Sequence, residues 1–297
     1  MYPVAFEYLE PRSLQEAAAF LQERGEDARV LAGGQSLVPL MKLRLARPKY
    51  LIDLNRVAGL SYIEERGDCL AIGALTRHAD IEFSPLVRET APLMIEAVRV
   101  LGDAQVRNLG TVAGAIAEAD PAGDWGPVAL ALNARLRCLS SHGEREIAAK
   151  DFFTFAYTTA LKGNELIREI EIPIPALPRQ GKYLKLERVA GDFAVASVAV
   201  QTNIDKEGFC RDIGIGLGGA GECPIKATVV ETLLRGQKLS PEIIEAAGQR
   251  IFEIADPVAD LKGSSEYKKE VLKVIFCRAL KQLFEERWDK KLNRDSH

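Results

Sequence analysis

Three prolines within six residues, Pro173, Pro175 and Pro178, divide the chain into a longer first part and a shorter second part. Proline lacks a backbone N–H and restricts the residue before it. Neither a helix nor a central strand is therefore expected to run through Ile170 to Pro178. Before the prolines, short strand and helix signals alternate. Ser13 is placed to cap LQEAAAFLQER, with Glu16 three residues on and Gly25 after the last turn. Arg29 to Ala32 reads as a strand entering a glycine turn, and Tyr50 to Leu54 as another. Gly67-Asp68 separates two short strands as a hairpin. Pro85 and Pro92 punctuate the helical stretch ADIEFSPLVRETAPLMIEAVRVLG. Residues 105–125 read as turns around a site, followed by the apolar run PVALALNARLRCL. After the prolines come the alternating segment FAVASVAVQTNI, the glycine-rich IGIGLGGAG, and two helical stretches, KATVVETLLRG and SEYKKEVLKVIFCRALKQLFEERW. The layout is a ligand-binding first part and a smaller α/β second part.

Two glycine loops hold the chemistry. In Leu31-Ala32-Gly33-Gly34-Gln35-Ser36-Leu37-Val38, the paired glycines permit a tight turn and a close backbone approach to a ligand. Successive N–H groups there form a candidate nest for a diphosphate, and Ser36 and Gln35 add polar groups. The spacing is neither GxGxxG nor GxxxxGK[ST], so the common dinucleotide and P-loop motifs are excluded. A purely structural turn explains the loop as well. The second loop, Gln105 to Ala117, places Gly110 and Gly114 among small side chains. Thr111 is a donor to phosphate or a turn closer, and Arg107 a phosphate partner or an ordinary salt bridge. In the following Glu118-Ala119-Asp120-Pro121-Ala122-Gly123-Asp124, Asp124 is favoured as an acceptor for ligand hydroxyls and Asp120 as a cap of the turn.

Composition narrows the function classes. A net charge of −3 argues against a nucleic-acid partner. Cys69, Cys138, Cys210, Cys223 and Cys277 form no CxxC pair and no metal-ligand spacing, so reduced thiols are expected. Iron–sulfur clusters need correctly spaced thiolates, and this chain does not offer them. The N-terminus lacks the pattern of a signal peptide, and no apolar run reaches membrane-spanning length. The default expectation is a soluble intracellular protein.

Taken in order, AGGQSLVPLMKLRLARPKYLIDL, IGALTRHADIE, VRNLGTVAGAIAEADPAGD, EIPIP and YLKLERVAGDFA cover nearly the whole chain. In that order they resemble the FAD-binding medium subunit of aerobic carbon monoxide dehydrogenase and related molybdenum hydroxylases. More distantly, they resemble the flavin domain of xanthine oxidoreductases. The resemblance implies an α+β fold. A bipartite FAD-binding domain over 1–175, with subdomains of about 1–55 and 56–175, precedes an α/β C-terminal domain over 176–297. It implies FAD diphosphate at Ala32, Gly33, Gly34, Gln35 and Ser36, flanked by Leu31 and Val38. Thr111, Gly114, Ala115 and Ala117 then lie along phosphate and ribityl chain, with Asp124 on the hydroxyls. Leu101 and Gly102 fall beside the cofactor and Ile167 on the adenine side. Lys185 matches a basic position of the flavin domain and Phe193 an aromatic position near the flavin ring, and both are candidate tuners of the flavin. The family's second motif has two adjacent glycines followed by asparagine. Here it reads Thr111-Val112-Ala113-Gly114-Ala115, which bears on FAD affinity through lost positive-φ access at Ala113 and lost hydrogen bonds at Ala115.

Electron transfer is the implied role, with no catalytic base and no metal ligand on this chain. Electrons come from a large subunit with a molybdenum cofactor, through a small subunit with two [2Fe–2S] clusters, to FAD and an external acceptor. The implied assembly is a dimer of heterotrimers, cytoplasmic, with membrane association through the complex left open. The competing readings are a stand-alone flavin oxidoreductase and a non-enzymatic interaction protein.

Overall fold

The structure is a computed structural model that describes residues 2–174 and 178–292, with side chains described as far as residue 285. The first part opens with β1 (Glu7–Leu9), α1 (Leu14–Arg24), β2 (Ala28–Leu31), α2 (Leu37–Lys42) and β3 (Tyr50–Asp53). Next come β4 (Ile63–Arg66), β5 (Cys69–Gly73), α3 (His78–Phe83), α4 (Pro85–Thr90) and α5 (Pro92–Val98). Three short helices follow: α6 (Ala104–Leu109), α7 (Val112–Glu118) and α8 (Trp125–Ala131). The strands β6 (Arg135–Ser140), β7 (Gly143–Ala148), β8 (Phe153–Phe155), β9 (Thr158–Thr159) and β10 (Leu166–Pro173) come after them. Beyond the prolines lie β11 (Gln180–Leu186), β12 (Ala196–Ile204), β13 (Cys210–Gly218) and β14 (Ile225–Lys226). The helices α9 (Thr228–Leu234), α10 (Pro241–Ile254) and α11 (Ser265–Leu292) complete the order.

These elements build three layered units. A parallel sheet in the order β1-β3-β2 packs on α1 around Leu14, Ala18, Leu21 and Ile52. An antiparallel sheet ordered β4-β5-β10-β6-β7 carries α3 to α8 on a core that includes Trp125 and Phe152. The third sheet, β11-β12-β13-β14, is antiparallel and packs on α9, α10 and α11. The second core reaches Tyr183 and Ala199, so the second and third units share apolar contacts. Among the described residues, no helix is long and apolar enough to cross a membrane.

Local signals account for many boundaries. The Ser13 hydroxyl accepts from Glu16 N and caps α1, while the Glu16 carboxylate accepts from Arg12 N, one residue ahead of the cap. Gly25 ends the helix at a φ of 52°. Pro85 and Pro92 each open a helix, where a missing N–H costs nothing. β4 and β5 form the expected hairpin across Gly67.

Four regions differ from the expectation. The stretch 105–125 includes the helices α6 and α7, started by the side chains of Asp103 and Thr111. β10 is the middle strand of its sheet although it ends in the proline cluster, because Pro173 is its last residue, opposite Cys69. β12 alternates in sequence, yet it is buried on both faces because helices cover each side. α10 was not read from the sequence, although Ser240 caps it and Pro241 opens it. The boundary at 175/176 lies outside the described residues.

The glycine-rich IGIGLGGAG is packing. On β13, a methyl at Gly214 would stand 2.0 Å from Ala131 O, and one at Gly216 would stand 1.9 Å from Pro127 O. The bare strand face lets the α8 backbone approach closely and joins the second unit to the third.

Candidate functional site

The two glycine loops meet. The Ala32–Ser36 turn leaves β2 and enters α2, while Leu109–Thr111 joins α6 to α7. A Cβ on Gly33 would lie 2.3 Å from Leu109 O and 2.6 Å from Gly110 Cα, so only glycine permits this approach. Gly34 holds a φ of 71°, a left-handed conformation that glycine adopts without strain. The first loop therefore uses Gly33 to reach the second loop, a contact that was not expected from the sequence.

Among the described residues, the backbone N–H groups of Gly33, Gly34, Gln35, Ser36 and Leu37 have no protein acceptor. A row of unpaired donors at the wall of a cavity is fitted to an anion. The Gln35 amide donates back to Gly33 O. In the second loop, Thr111 Oγ1 accepts from Gly114 N, so this hydroxyl closes the first turn of α7. Ala113 and Ala115 lie within α7, where no positive φ is needed. The sequence-based concern over Ala113 is corrected: a helical alanine carries no such cost.

A cavity of about 880 Å³ runs past both loops. Ala32, Gly33, Gly34, Gln35, Ser36, Leu101, Gly102, Thr111, Gly114, Ala115, Ala117, Asp124, Ile167 and Phe193 all contribute to its wall. Leu31, Val38 and Lys185 do not. Leu31 and Val38 stand behind Gly34, each within 3.2 Å of where a Cβ would be. Arg107 is also off the wall. It pairs with Glu82 and donates to the carbonyls of Leu101 and Gly102, which selects the ordinary salt-bridge reading.

Asp120 and Asp124 both line the cavity but differ in their partners. Asp120 Oδ1 accepts from Ala122 N and caps the turn. Asp124 caps nothing. It is only 8% exposed, and its Oδ1 accepts from the Tyr183 hydroxyl at 2.6 Å, with Lys185 Nζ at 3.3 Å. Among the described residues Oδ2 has no hydrogen-bond partner, which leaves an acceptor at the cavity wall. Burial raises the Asp124 pKa against the opposing pull of Lys185 and Tyr183. Lys185 also pairs with Glu187 and donates to Asp192 O, so it supports the site from beneath.

Several wall residues were not singled out beforehand. His78 and Trp125 form part of the wall, as do Glu118 and the far-end pair Gln22 and Asn164. Asn164 Nδ2 donates to Gln22 Oε1 across the two N-terminal units. The TRHADIE stretch marked His78 as part of a pattern. Its burial depends on packing that spacing alone does not show.

Residues 4–175 match the family model described as the FAD binding domain in molybdopterin dehydrogenase. Residues 182–283 match the CO dehydrogenase flavoprotein C-terminal domain. This chain belongs to the FAD-binding medium subunits of the molybdenum hydroxylase family. It is an FAD-binding oxidoreductase subunit that transfers electrons within such a complex. The glyceraldehyde dehydrogenase medium chain of Sulfolobus acidocaldarius is 41% identical, over 95% of this chain and 100% of its own. A solved carbon monoxide dehydrogenase from Hydrogenophaga pseudoflava superposes with a TM-score of 0.93 at 38% identity, covering 96% of this chain and 99% of that one. Quinoline 2-oxidoreductase from Pseudomonas putida 86 gives a TM-score of 0.90 at 31% identity, covering 96% and 99%. The row of donors, the free Asp124 oxygen and the cavity volume fit an FAD-sized ligand. Among the described residues, no group of three or more His, Cys, Asp or Glu is placed to hold a metal ion.

Proposed function

We propose that the cavity holds FAD along its length, with the diphosphate at Gly33 to Ser36 and the second loop. Thr111, Gly114, Ala115 and Ala117 lie along the phosphates and ribityl chain, and Asp124 Oδ2 accepts from a cofactor hydroxyl. Ile167 faces adenine, while Leu101, Gly102 and Phe193 flank the flavin. Leu31, Val38 and Lys185 back the wall. The observation that carries this reading is the run of unpaired N–H groups from Gly33 to Leu37 beside the same cavity as Asp124. Bound FAD supplies reversible electron uptake and release. The chain's residues bind it, orient it and shield it from water.

In the fuller proposal, a large subunit with the molybdenum cofactor oxidises the donor. A small subunit with two [2Fe–2S] clusters passes the electrons to FAD. They leave to a quinone, a nicotinamide nucleotide, oxygen or another acceptor. The family supports this arrangement, and the spacing of the five cysteines in the sequence matches no iron–sulfur ligand pattern. The complex is a dimer of heterotrimers in the cytoplasm, and its domains divide at 175/176. The relatives above are named for glyceraldehyde, carbon monoxide and quinoline, which supports one flavin fold serving several donors.

Titration of the purified chain with FAD tests the binding half of the proposal. Uptake of one FAD per chain is expected. A chain that takes up no stoichiometric FAD overturns the proposal.

A further inference from the structure

Neither glycine loop is held by its own residues alone. The Arg77 guanidinium donates from Nη1 to Leu109 O in the second loop, at 2.7 Å. From Nη2 it donates to Asn55 Oδ1, also at 2.7 Å. Asn55 Nδ2 in turn donates to Ala32 O in the first loop, at 2.8 Å. Asn55 is itself fixed, because its N and Nδ2 both donate to Asp53 Oδ1, and Tyr8 donates to Asp53 Oδ2. Arg77 is fixed by its backbone N–H, which donates to Asp80 Oδ2. Neither Arg77 nor Asn55 is on the cavity wall.

Peptide geometry gives this chain of bonds a direction. In a planar trans peptide, the C=O of one residue and the N–H of the next point opposite ways. Holding Ala32 O on Asn55 therefore turns the Gly33 N–H away from Asn55. The Gln35 amide on Gly33 O fixes the Gly34 N–H in the same manner. The carbonyl oxygens that would repel an anion are held by side chains, while the N–H groups stay unpaired.

We propose that Arg77 and Asn55 are positioning residues that lock the two glycine loops together and hold the first loop's peptides donor-side toward a diphosphate. The inference rests on the FAD reading above. It assigns recognition of the diphosphate to two side chains that need not touch it.

The test uses the full chain with Arg77→Gln, Asn55→Ala and Asn55→Asp. Asn55→Asp keeps the acceptor for Arg77 but removes the donor to Ala32 O. Three readouts are needed: FAD dissociation constant, apo-protein thermal midpoint, and the 31P spectrum of FAD bound at saturation. Each variant is expected to weaken FAD at least about tenfold, a loss near 1.4 kcal/mol. The 31P resonances of the bound diphosphate should move while the flavin absorption bands stay in place. Arg77→Gln combined with Asn55→Ala should cost less than the two separate losses added, because both act through one chain of bonds. Wild-type-like FAD affinity and 31P shifts in the variants would overturn the clamp and leave the FAD reading intact. Equal disturbance of flavin bands and phosphorus shifts would also overturn it, by showing a general structural role. A wild-type chain that takes up no FAD would overturn the FAD reading and the clamp with it.

Discussion

The Trp125 indole N–H donates to Nδ1 of His78 at 3.1 Å, and the two rings stack with centroids 5.7 Å apart. Indole nitrogen is a donor only, so His78 Nδ1 must accept and the neutral ring carries its proton on Nε2. Burial, with the positive charges of Arg77 and Arg107, pushes the His78 pKa down to about 4. An unfolded histidine titrates near 6.5, so the unfolded chain takes up this proton first. Stability from His78 is therefore complete above about pH 6.5 and is lost as pH falls toward about 4. Between pH 7 and pH 5 the loss is about 2 kcal/mol from this group. His78→Gln keeps an acceptor for Trp125 but cannot titrate. Urea unfolding at the two pH values should show a smaller drop for this variant, by about that amount. Parallel pH profiles for wild type and variant would contradict the assignment.

Gly33 and Gly34 fail for different reasons when substituted. Gly33→Ala forces the two loops apart, because its methyl would collide with Leu109 O. Gly34→Ala meets only side chains but carries left-handed strain of about 1–2 kcal/mol. Gly33→Ala should lower FAD affinity further than Gly34→Ala. Gly34→Asp should lose FAD binding while the apo fold survives, since aspartate tolerates this backbone but adds negative charge where the diphosphate is proposed to lie. Flavin titration alongside thermal unfolding measures both quantities. FAD affinity unchanged in Gly34→Asp would contradict the loop's placement.

In the proposed FAD site Asp124 offers Oδ2 to the ligand, while its Oδ1 holds Tyr183. Asp124→Ala leaves the buried Tyr183 hydroxyl without its acceptor, and Lys185 retains Glu187 and Asp192 O. Apo stability should fall by about 1–3 kcal/mol, with a comparable loss in FAD binding. Tyr183→Phe should lower stability while leaving Oδ2, and most FAD affinity, in place. If Tyr183→Phe weakened FAD as much as Asp124→Ala does, the division between the two oxygens would be refuted.

Legibility followed the range of the interactions. Ser13 with Glu16, Gly25, Pro85 and Pro92 act within a few residues of themselves, and their elements were readable. Most of the proposed wall residues were readable too, because they cluster in two loops whose ordered motifs carry the family resemblance. What escaped were relations between distant segments. Arg77 reaches Asn55 and Leu109, 22 and 32 residues away. Gly214 and Gly216 mark the docking of α8, which no local pattern reveals. The Lys185 position was readable, but its burial beneath Asp124 depends on how β11 packs against the second unit.

As a flavin subunit, this chain handles electrons, and the donor is oxidised elsewhere in the complex. Anaerobic stopped-flow spectroscopy separates the two cases, using the FAD-loaded chain alone and then with the proposed iron–sulfur and molybdenum subunits. The donor is the compound that the purified complex oxidises. Rapid donor-dependent bleaching of the flavin band is expected in the complex and none in the isolated chain. Flavin reduction by the donor at the same rate in the isolated chain would contradict it and favour a stand-alone flavin oxidoreductase.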